Sequence, residues 1–151
     1  MEHKKRKTWP RFVYRGFGFP VTLVNVPMVQ IRATWTPDVN YEHLQSALLL
    51  ALAGKGTRLS GHEIRFIRLA FEMTLQEFAR RFGVTHPAVL KWEKAAARTT
   101  GTGWSTEKDI RLYVISRLKQ PPGRFYEAYR GLETQPSKKR ASLILDGASV
   151  A

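Results

Sequence analysis

The chain has 151 residues, no cysteine, a formal net charge of +13 and an isoelectric point of about 10.5. The lack of cysteine excludes disulfides and thiolate zinc sites, and the surplus positive charge favours polyanionic partners, most simply nucleic acid. A basic membrane-surface protein is the rival class, but no long amphipathic basic helix is visible, and the apolar run Ala47–Ala53 is far shorter than the roughly 20 residues that span a bilayer.

Residues 1–56 divide into a tail and a small module. Residues 1–8 are expected to be a disordered basic tail, whose lysines and arginine could alternatively grip phosphate or a minor groove. Alternating apolar residues over residues 9–36 predict an antiparallel hairpin or small sheet, with Pro27 at a bulge or an edge. Asn40 can cap a helix that ends near Ala53. We therefore expect a module of β-sheet plus helix over residues 9–56.

Residues 57–133 are predicted to form a domain of five short helices. Capping boxes, in which a hydroxyl accepts a first-turn N–H and a Glu reaches back to the cap, mark the first two helix starts. Gly83 ends the second helix, because glycine adopts positive φ without steric cost. The predicted caps are Ser60 with Glu63, Thr74 with Glu77, Thr85 with Pro87 in the first turn, and Thr106 with Asp109.

The third of these helices has two contrasting sides. At helical spacing Val84, Val89 and Trp92 lie on one side, which predicts a buried face. The other side carries polar and basic residues suited to the major groove. From this face we expect base contacts by His86, Pro87, Ala88 and Lys91, with Lys91 reaching guanine. We expect phosphate contacts by Thr74, Gln76, Thr85, Lys94, Arg98 and Thr99.

The segment GVTHPAVLKWE resembles the turn and recognition helix of the Cro/CI-type (Xre) helix-turn-helix family, and Ala79 stands where that family packs a small residue against the turn. The resemblance implies a five-helix DNA-binding domain in which Arg68 forms an ion pair with Glu93. One position departs from the family, which often has a phosphate-binding Gln at the first position of the second helix. Here that residue is Leu75, and Gln76 follows it.

A second resemblance covers roughly residues 14–100. The phrase LSGHEIRFIR is similar to the start of the helix-turn-helix in MqsA/YgiT-type antitoxins, and a sheet and helix precede it in the same order. In that family the preceding module binds zinc through CxxC pairs. Those cysteines are absent here, so the resemblance implies a module that has lost its zinc and is held together by its apolar core.

Two further segments leave alternatives open. The polar, Gly-rich stretch Lys94–Thr106 either runs along a sugar–phosphate backbone or is a plain surface loop. Residues 134–151 are predicted to be a mobile tail, with basic residues Lys138–Arg140 ahead of the apolar run Leu143–Leu145. That run could dock as an edge strand or bind a partner.

No catalytic constellation can be assembled, and the four histidines lie in four different segments, so we expect no enzyme activity, metal or cofactor. The sequence therefore predicts an α+β, sequence-specific double-stranded-DNA-binding transcriptional regulator. We expect a homodimeric repressor on an inverted repeat, cytoplasmic and nucleoid-associated, with no membrane contact. An antitoxin-like autorepressor, with a toxin or other protein at the N-terminal module, and a free-standing regulator are both compatible with this prediction. The alternative is a protein-binding adaptor built on a helix-turn-helix scaffold.

Overall fold

In the computed structural model, which describes residues 4–132 and 142–151, the chain is an α+β protein with a four-stranded sheet and six α-helices. The strands are β1 (Arg6–Tyr14), β2 (Val21–Ile31), β3 (Thr34–Pro37) and β4 (Ile144–Asp146). The helices are α1 (Tyr41–Ala53), α2 (Gly61–Ala70), α3 (Leu75–Arg81), α4 (His86–Lys94), α5 (Trp104–Arg117) and α6 (Pro122–Gly131). These elements form two compact units, unit 1 with residues 4–48 and 142–151, and unit 2 with residues 49–132.

β2 is the central strand of the sheet in unit 1. β1 pairs with it in antiparallel register from Arg6 opposite Val29 to Tyr14 opposite Val21, which fills one edge of β2. β3 and β4 therefore share the other edge, β3 antiparallel beside the end of β2 and β4 parallel beside its start. The buried residues of β2 contribute to the core of this unit, and they are Val21 and Leu23 before Asn25 and Val26, Met28 and Val29 after it.

Pro27 lies in this central strand, so an edge position is wrong for it. The Pro27 carbonyl accepts the Asp38 N–H at 2.8 Å. The carbonyl and the nitrogen of a strand residue point to the same side in an antiparallel pair, so the N–H that proline lacks would also have pointed to that side. That side is where pairing passes from β4 to β3, so the proline removes no bond from a continuous ladder. The distortion of the strand is at Asn25, which has φ of 49°.

The basic N-terminus is part of the sheet from Lys5 onward. β1 begins at Arg6, and the Gln30 N–H donates to the Lys5 carbonyl at 2.9 Å. Arg6 and Lys7 pair with the buried Val29 and Met28 of β2, and this strand pairing holds the charged segment in place. The predicted disorder of residues 1–8 is therefore wrong from Lys5 onward, and residues 1–3 lie outside the described chain.

Residues 142–151 are likewise part of the fold and not the predicted mobile tail. Thr22 donates its N–H to the Leu143 carbonyl at 2.9 Å, and β4 continues this pairing with Leu145 buried. A 3₁₀ turn, Gly147–Val150, follows, and the Asn40 N–H donates to the carbonyl of the buried Val150. The edge-strand alternative is the correct one. The predicted basic patch Lys138–Arg140 lies outside the described residues.

The boundary between the units falls inside α1, between Leu48 and Leu49, and not at residues 56 and 57 as predicted. Leucines occupy more than one side of this helix, and a helix that is apolar around its circumference is buried on several sides. Its buried residues are Leu44, Leu48, Leu49, Leu52 and Ala53, whereas Tyr41 at its start is 55% exposed.

A buried charge cluster holds the segment between α1 and α2 in unit 2. Glu107 and Arg111, one turn apart on α5, are both fully buried and form an ion pair of 2.9 Å. Arg111 also donates to the carbonyls of Lys55 and Thr57, while Glu107 accepts from the Arg58 guanidinium at 3.0 Å and the Leu59 N–H at 3.1 Å. Burial lowers the pKa of Arg111, and the Glu107 carboxylate opposes that shift.

This cluster also corrects the predicted start of α5. α5 is capped by Gly103 and begins at Trp104, so the predicted cap at Thr106 is wrong; Glu107 is instead drawn into the interior by its two arginines.

Gly147→Ala should destabilise unit 1. A Cβ on Gly147 would lie 2.6 Å from both the Cα and the Cβ of Val26, so the turn would have to move away from β2. Overpacking of this kind costs about 1–3 kcal/mol. Urea unfolding followed by circular dichroism measures the change. Gly56→Ala is the matched control, because a Cβ there meets nothing within 4 Å; equal midpoints for the two variants would contradict the docking of the C-terminal segment.

Arg111→Met should destabilise unit 2 more strongly, by about 3–5 kcal/mol, because it leaves a buried carboxylate with half of its partners and two carbonyls without a donor. Chemical denaturation gives the free energy of unfolding. Arg117→Met, at an exposed position of the same helix, should change it by less than about 1 kcal/mol. Similar losses for the two variants would refute a special role for the buried cluster.

Candidate functional site

The candidate site is built on α2, α3 and α4, whose starts are fixed by local hydrogen bonds. Both predicted capping boxes are formed: the Ser60 hydroxyl accepts the Glu63 N–H at 3.2 Å and the Thr74 hydroxyl accepts the Glu77 N–H at 3.1 Å, with each carboxylate bonded back to the cap. The Thr85 hydroxyl accepts the Ala88 N–H at 3.3 Å and starts α4.

The connection between α3 and α4 is a tight turn. Gly83 has φ of 67°, as the sequence predicted, and it leads directly to the cap at Thr85. The Val84 N–H donates to the Ala79 carbonyl at 3.0 Å, which closes the turn onto the end of α3. The turn contains few residues, so α4 lies close to α3, and the small Ala79 of α3 is buried.

α4 buries one side and exposes the other. Val89 is fully buried and Trp92 is 7% exposed, as the apolar spacing predicts. The residues that face solvent recur at intervals of one helical turn, so they form a continuous strip along the helix. This strip consists of His86, Pro87, Leu90, Lys91 and Lys94, and we call it the α4 face.

The C-terminal end of α4 is held by the expected ion pair. The Arg68 guanidinium donates to both carboxylate oxygens of Glu93, at 2.8 and 3.1 Å, and also to the Met73 carbonyl at 2.9 Å. The two side chains are only 11% and 7% exposed. Two parallel bonds fix both the distance and the orientation of α4 relative to α2. The negative charge that lies between Lys91 and Lys94 in sequence is thereby turned inward.

A glycine permits the close approach of α2 to the end of α4. A Cβ on Gly61 would clash with the carbonyls of Trp92 and Glu93, so no larger residue fits without backbone movement. The N–H groups of Gly61 and His62 donate to the carbonyls of Arg98 and Ala96, at 3.1 and 2.9 Å. The first turn of α2 therefore fixes the segment after α4, including the backbone that carries the exposed Arg98 side chain.

The predicted site residues fall into two groups in the structure. Of the predicted base contacts, His86, Pro87 and Lys91 lie on the α4 face, whereas Ala88 is partly buried at the cap. The hydroxyls of Thr74 and Thr85 accept helix N–H groups, which leaves each O–H free to donate. The predicted phosphate contacts are all solvent-exposed: Thr74, Gln76, Thr85, Lys94, Arg98 and Thr99.

The charges of this unit are arranged asymmetrically. Glu63 binds Lys55 at 2.8 Å, Glu93 binds Arg68, and Glu107 binds its two arginines, so three carboxylates are neutralised in the interior. Among the residues that the structure describes, Lys91, Lys94 and Arg98 form no ion pair. The cations on and beside the α4 face are therefore available to an external anion.

Leu90 is 37% exposed on the α4 face, and no contact was predicted for it from the sequence. Its position between Pro87 and Lys91 at helical spacing was the signal that could have found it. Lys55 was also missed as the ion-pair partner of Glu63. No local pattern predicts that pair, because Lys55 precedes the helix and reaches the cap only in the folded unit.

The chain matches no family model, no curated protein and no solved structure. Within the described residues, no group of three or more His, Cys, Asp or Glu side chains could hold a metal ion. No helix of residues 4–132 or 142–151 is long and apolar enough to cross a membrane.

Arg68→Ala and Glu93→Ala should each destabilise unit 2 by about 3–5 kcal/mol, because either change leaves one charge buried without its partner. Thermal and urea unfolding measure the loss. Arg65→Ala serves as the matched control, since its guanidinium is 3.8 Å from the same carboxylate but its side chain is 59% exposed. The control should stay within about 1 kcal/mol of the parent. Unchanged unfolding of both single variants would rule out a structural role for the pair.

Proposed function

We propose that the chain is a sequence-specific, double-stranded-DNA-binding transcriptional regulator that acts as a dimeric repressor. The observation that carries this proposal is the α4 face, on which unpaired cations are exposed while the neighbouring carboxylate of Glu93 is buried in an ion pair. A rigid helix that presents donors outward suits the edges of base pairs in a major groove.

The dimensions of α4 agree with this role. An α-helix with its side chains is about 10–12 Å across, which fits a major groove of roughly 12 Å width. In this proposal Lys91 donates to guanine O6 and N7, and His86 reaches a base edge or a phosphate near the cap. Pro87 and Ala88 offer apolar contact to a thymine methyl.

Phosphate contacts would hold the helix in register. The hydroxyls of Thr74 and Thr85 keep a donor for a phosphate oxygen, and Lys94 and Arg98 continue the positive surface beyond α4. Gln76 and Thr99 are exposed and complete the proposed set. Contacts of this kind position a protein on the duplex without reading its sequence.

The order of elements supports a Cro/CI-like helix-turn-helix domain. In that family two DNA-binding helices are joined by a tight turn, and α3 and α4 occupy the corresponding positions. Together with α2, α5 and α6 they make five described helices in unit 2 after residue 60. In such dimers the two recognition helices lie about 34 Å apart and bind the halves of an inverted repeat.

Two forms of regulator remain within the proposal. An antitoxin-like autorepressor, with a toxin or another protein bound to unit 1, is the first, and a free-standing regulator is the second. A gene for a small toxin-like protein beside that of this chain would favour the first.

Selection of bound sequences from a random duplex pool tests the function directly. We expect enrichment of an inverted repeat and binding that weakens steeply with salt, because counterions are released from the phosphates. Recovery of a random pool, with no preference at any salt concentration, would favour the alternative of a protein-binding adaptor.

Lys91→Ala and Arg98→Ala should weaken DNA binding in different ways. Lys91→Ala should cost about 1–3 kcal/mol on the selected duplex and relax the preference at one base position in each half-site. Arg98→Ala should weaken all duplexes alike and make the slope of log K against log salt shallower by about one unit. Fluorescence anisotropy with the selected and a scrambled duplex, across a salt series, measures both effects.

Lys119→Ala is the control, since it removes the same charge from an exposed position beyond α5. Its binding should match that of the parent. Equal weakening of both duplexes by Lys91→Ala would make that lysine a phosphate contact, and unchanged binding of both variants would show that the α4 face does not meet DNA.

A further inference from the structure

One face of the sheet in unit 1 brings basic and aromatic side chains together. Residues directly opposite one another on paired strands share a face. Trp35 of β3 is opposite Gln30 of β2, and the Gln30 N–H donates to the Lys5 carbonyl. Met28, two residues before Gln30 on β2, is opposite Lys7 of β1. The indole of Trp9 joins this face by contact with Trp35. We call Lys5, Lys7, Trp9, Gln30 and Trp35 the sheet patch.

The two indoles of the patch lean toward each other across β2. Their ring centroids are 6.2 Å apart with planes inclined at 47°, although strands on either side of a central one are separated by about 10 Å. Lys7 Nζ lies 5.3 Å from the centroid of the Trp35 ring. Met28 between them is buried, but both indoles and Gln30 stay partly exposed and both lysines are exposed. Part of the aromatic surface therefore remains accessible to solvent.

The surroundings of the patch are strongly basic. Neither Lys5 nor Lys7 forms an ion pair within the described chain, and the nearby Asp38 is already bound to Arg6. The described part of unit 1 contains seven basic residues, Lys4, Lys5, Arg6, Lys7, Arg11, Arg15 and Arg32, against three acidic ones, Asp38, Glu42 and Asp146. This balance favours an anionic ligand.

We propose that the sheet patch binds single-stranded nucleic acid. Bases stack on Trp9 and Trp35, Lys5 and Lys7 contact the flanking phosphates, and the Gln30 amide bonds to a base edge. A duplex hides the faces of its bases, whereas a single strand offers them to exposed aromatic rings beside a positive surface. This site belongs to unit 1 and is independent of the duplex-binding role proposed for α4.

The test uses the full chain and a fluorescein-labelled oligothymidylate of about 20 nucleotides, longer than the roughly 4–16 nucleotides that comparable sites cover. Anisotropy across a salt series gives the affinity and the salt slope. We expect saturable binding accompanied by quenching of tryptophan fluorescence, with a random duplex of equal length as competitor. The duplex should displace the oligothymidylate only at considerably higher concentration.

The aromatic and the basic residues of the sheet patch should affect the affinity and the salt slope differently. Trp35→Leu should weaken oligothymidylate binding about tenfold with an unchanged salt slope, because it removes a stacking surface. Lys5→Ala and Lys7→Ala should each make the slope shallower by about 0.7 units. Trp35→Phe, which keeps an aromatic ring, should retain most of the affinity. Circular dichroism checks folding, and if Trp35→Leu unfolds, the two lysine variants and Trp35→Phe decide the outcome.

Two controls separate this site from the general charge and from α4. Lys119→Ala removes one charge from unit 2, and Lys91→Ala removes one from the α4 face; both should leave oligothymidylate binding unchanged. The proposal is overturned if no oligothymidylate binds at moderate salt. It is equally overturned if Lys5→Ala and Lys7→Ala leave the affinity and slope unaltered, or if Lys119→Ala produces the same loss as they do.

Discussion

Glu107 is a fully buried carboxylate, and its hydrogen bonds hold the segment that leads into α2. It accepts from the Arg58 guanidinium and the Leu59 N–H, while Arg111 beside it binds the carbonyls of Lys55 and Thr57. A charge of this kind is tolerable in the interior only when its bonding capacity is filled. The segment from residue 55 to residue 59 is therefore held in one path, and Ser60, its next residue, is placed to cap α2.

The position of α2 then fixes the candidate site. Its first turn meets the end of α4 at Gly61, where no Cβ fits, and its last turn carries Arg68 to Glu93. These two contacts hold α4 at both ends of α2, and the Val89 and Trp92 side chains complete the packing beneath it. The ion pair with Arg68 turns the Glu93 carboxylate of α4 inward, and the lysines of the α4 face remain as unpaired charges at the surface.

Unit 1 is closed by the C-terminal end of the chain. β4 supplies a parallel partner to the start of β2, and the turn after it covers Val26 through Gly147 and bonds to Asn40 ahead of α1. The polar and basic first strand is ordered because β2 provides both a hydrogen-bonding edge and buried neighbours. The sheet patch follows from that order, since pairing of β1 and β3 with one central strand brings Trp9 and Trp35 within contact distance.

The sequence by itself determined the features that depend on residues a few positions apart. The caps at Ser60, Thr74 and Thr85, the turn at Gly83 and the inward side of α4 were all predicted correctly, because a cap or a helical face is decided within one or two turns. The family resemblance supplied Arg68 with Glu93. Only the tertiary structure decided which distant groups meet. Arg58 and Glu107 are 49 residues apart, and β2 and β4 lie near opposite ends of the chain. Such pairing depends on what the whole fold buries and not on local patterns. For this reason the local patterns gave the wrong start for α5, the wrong unit boundary and the wrong state for the last ten residues.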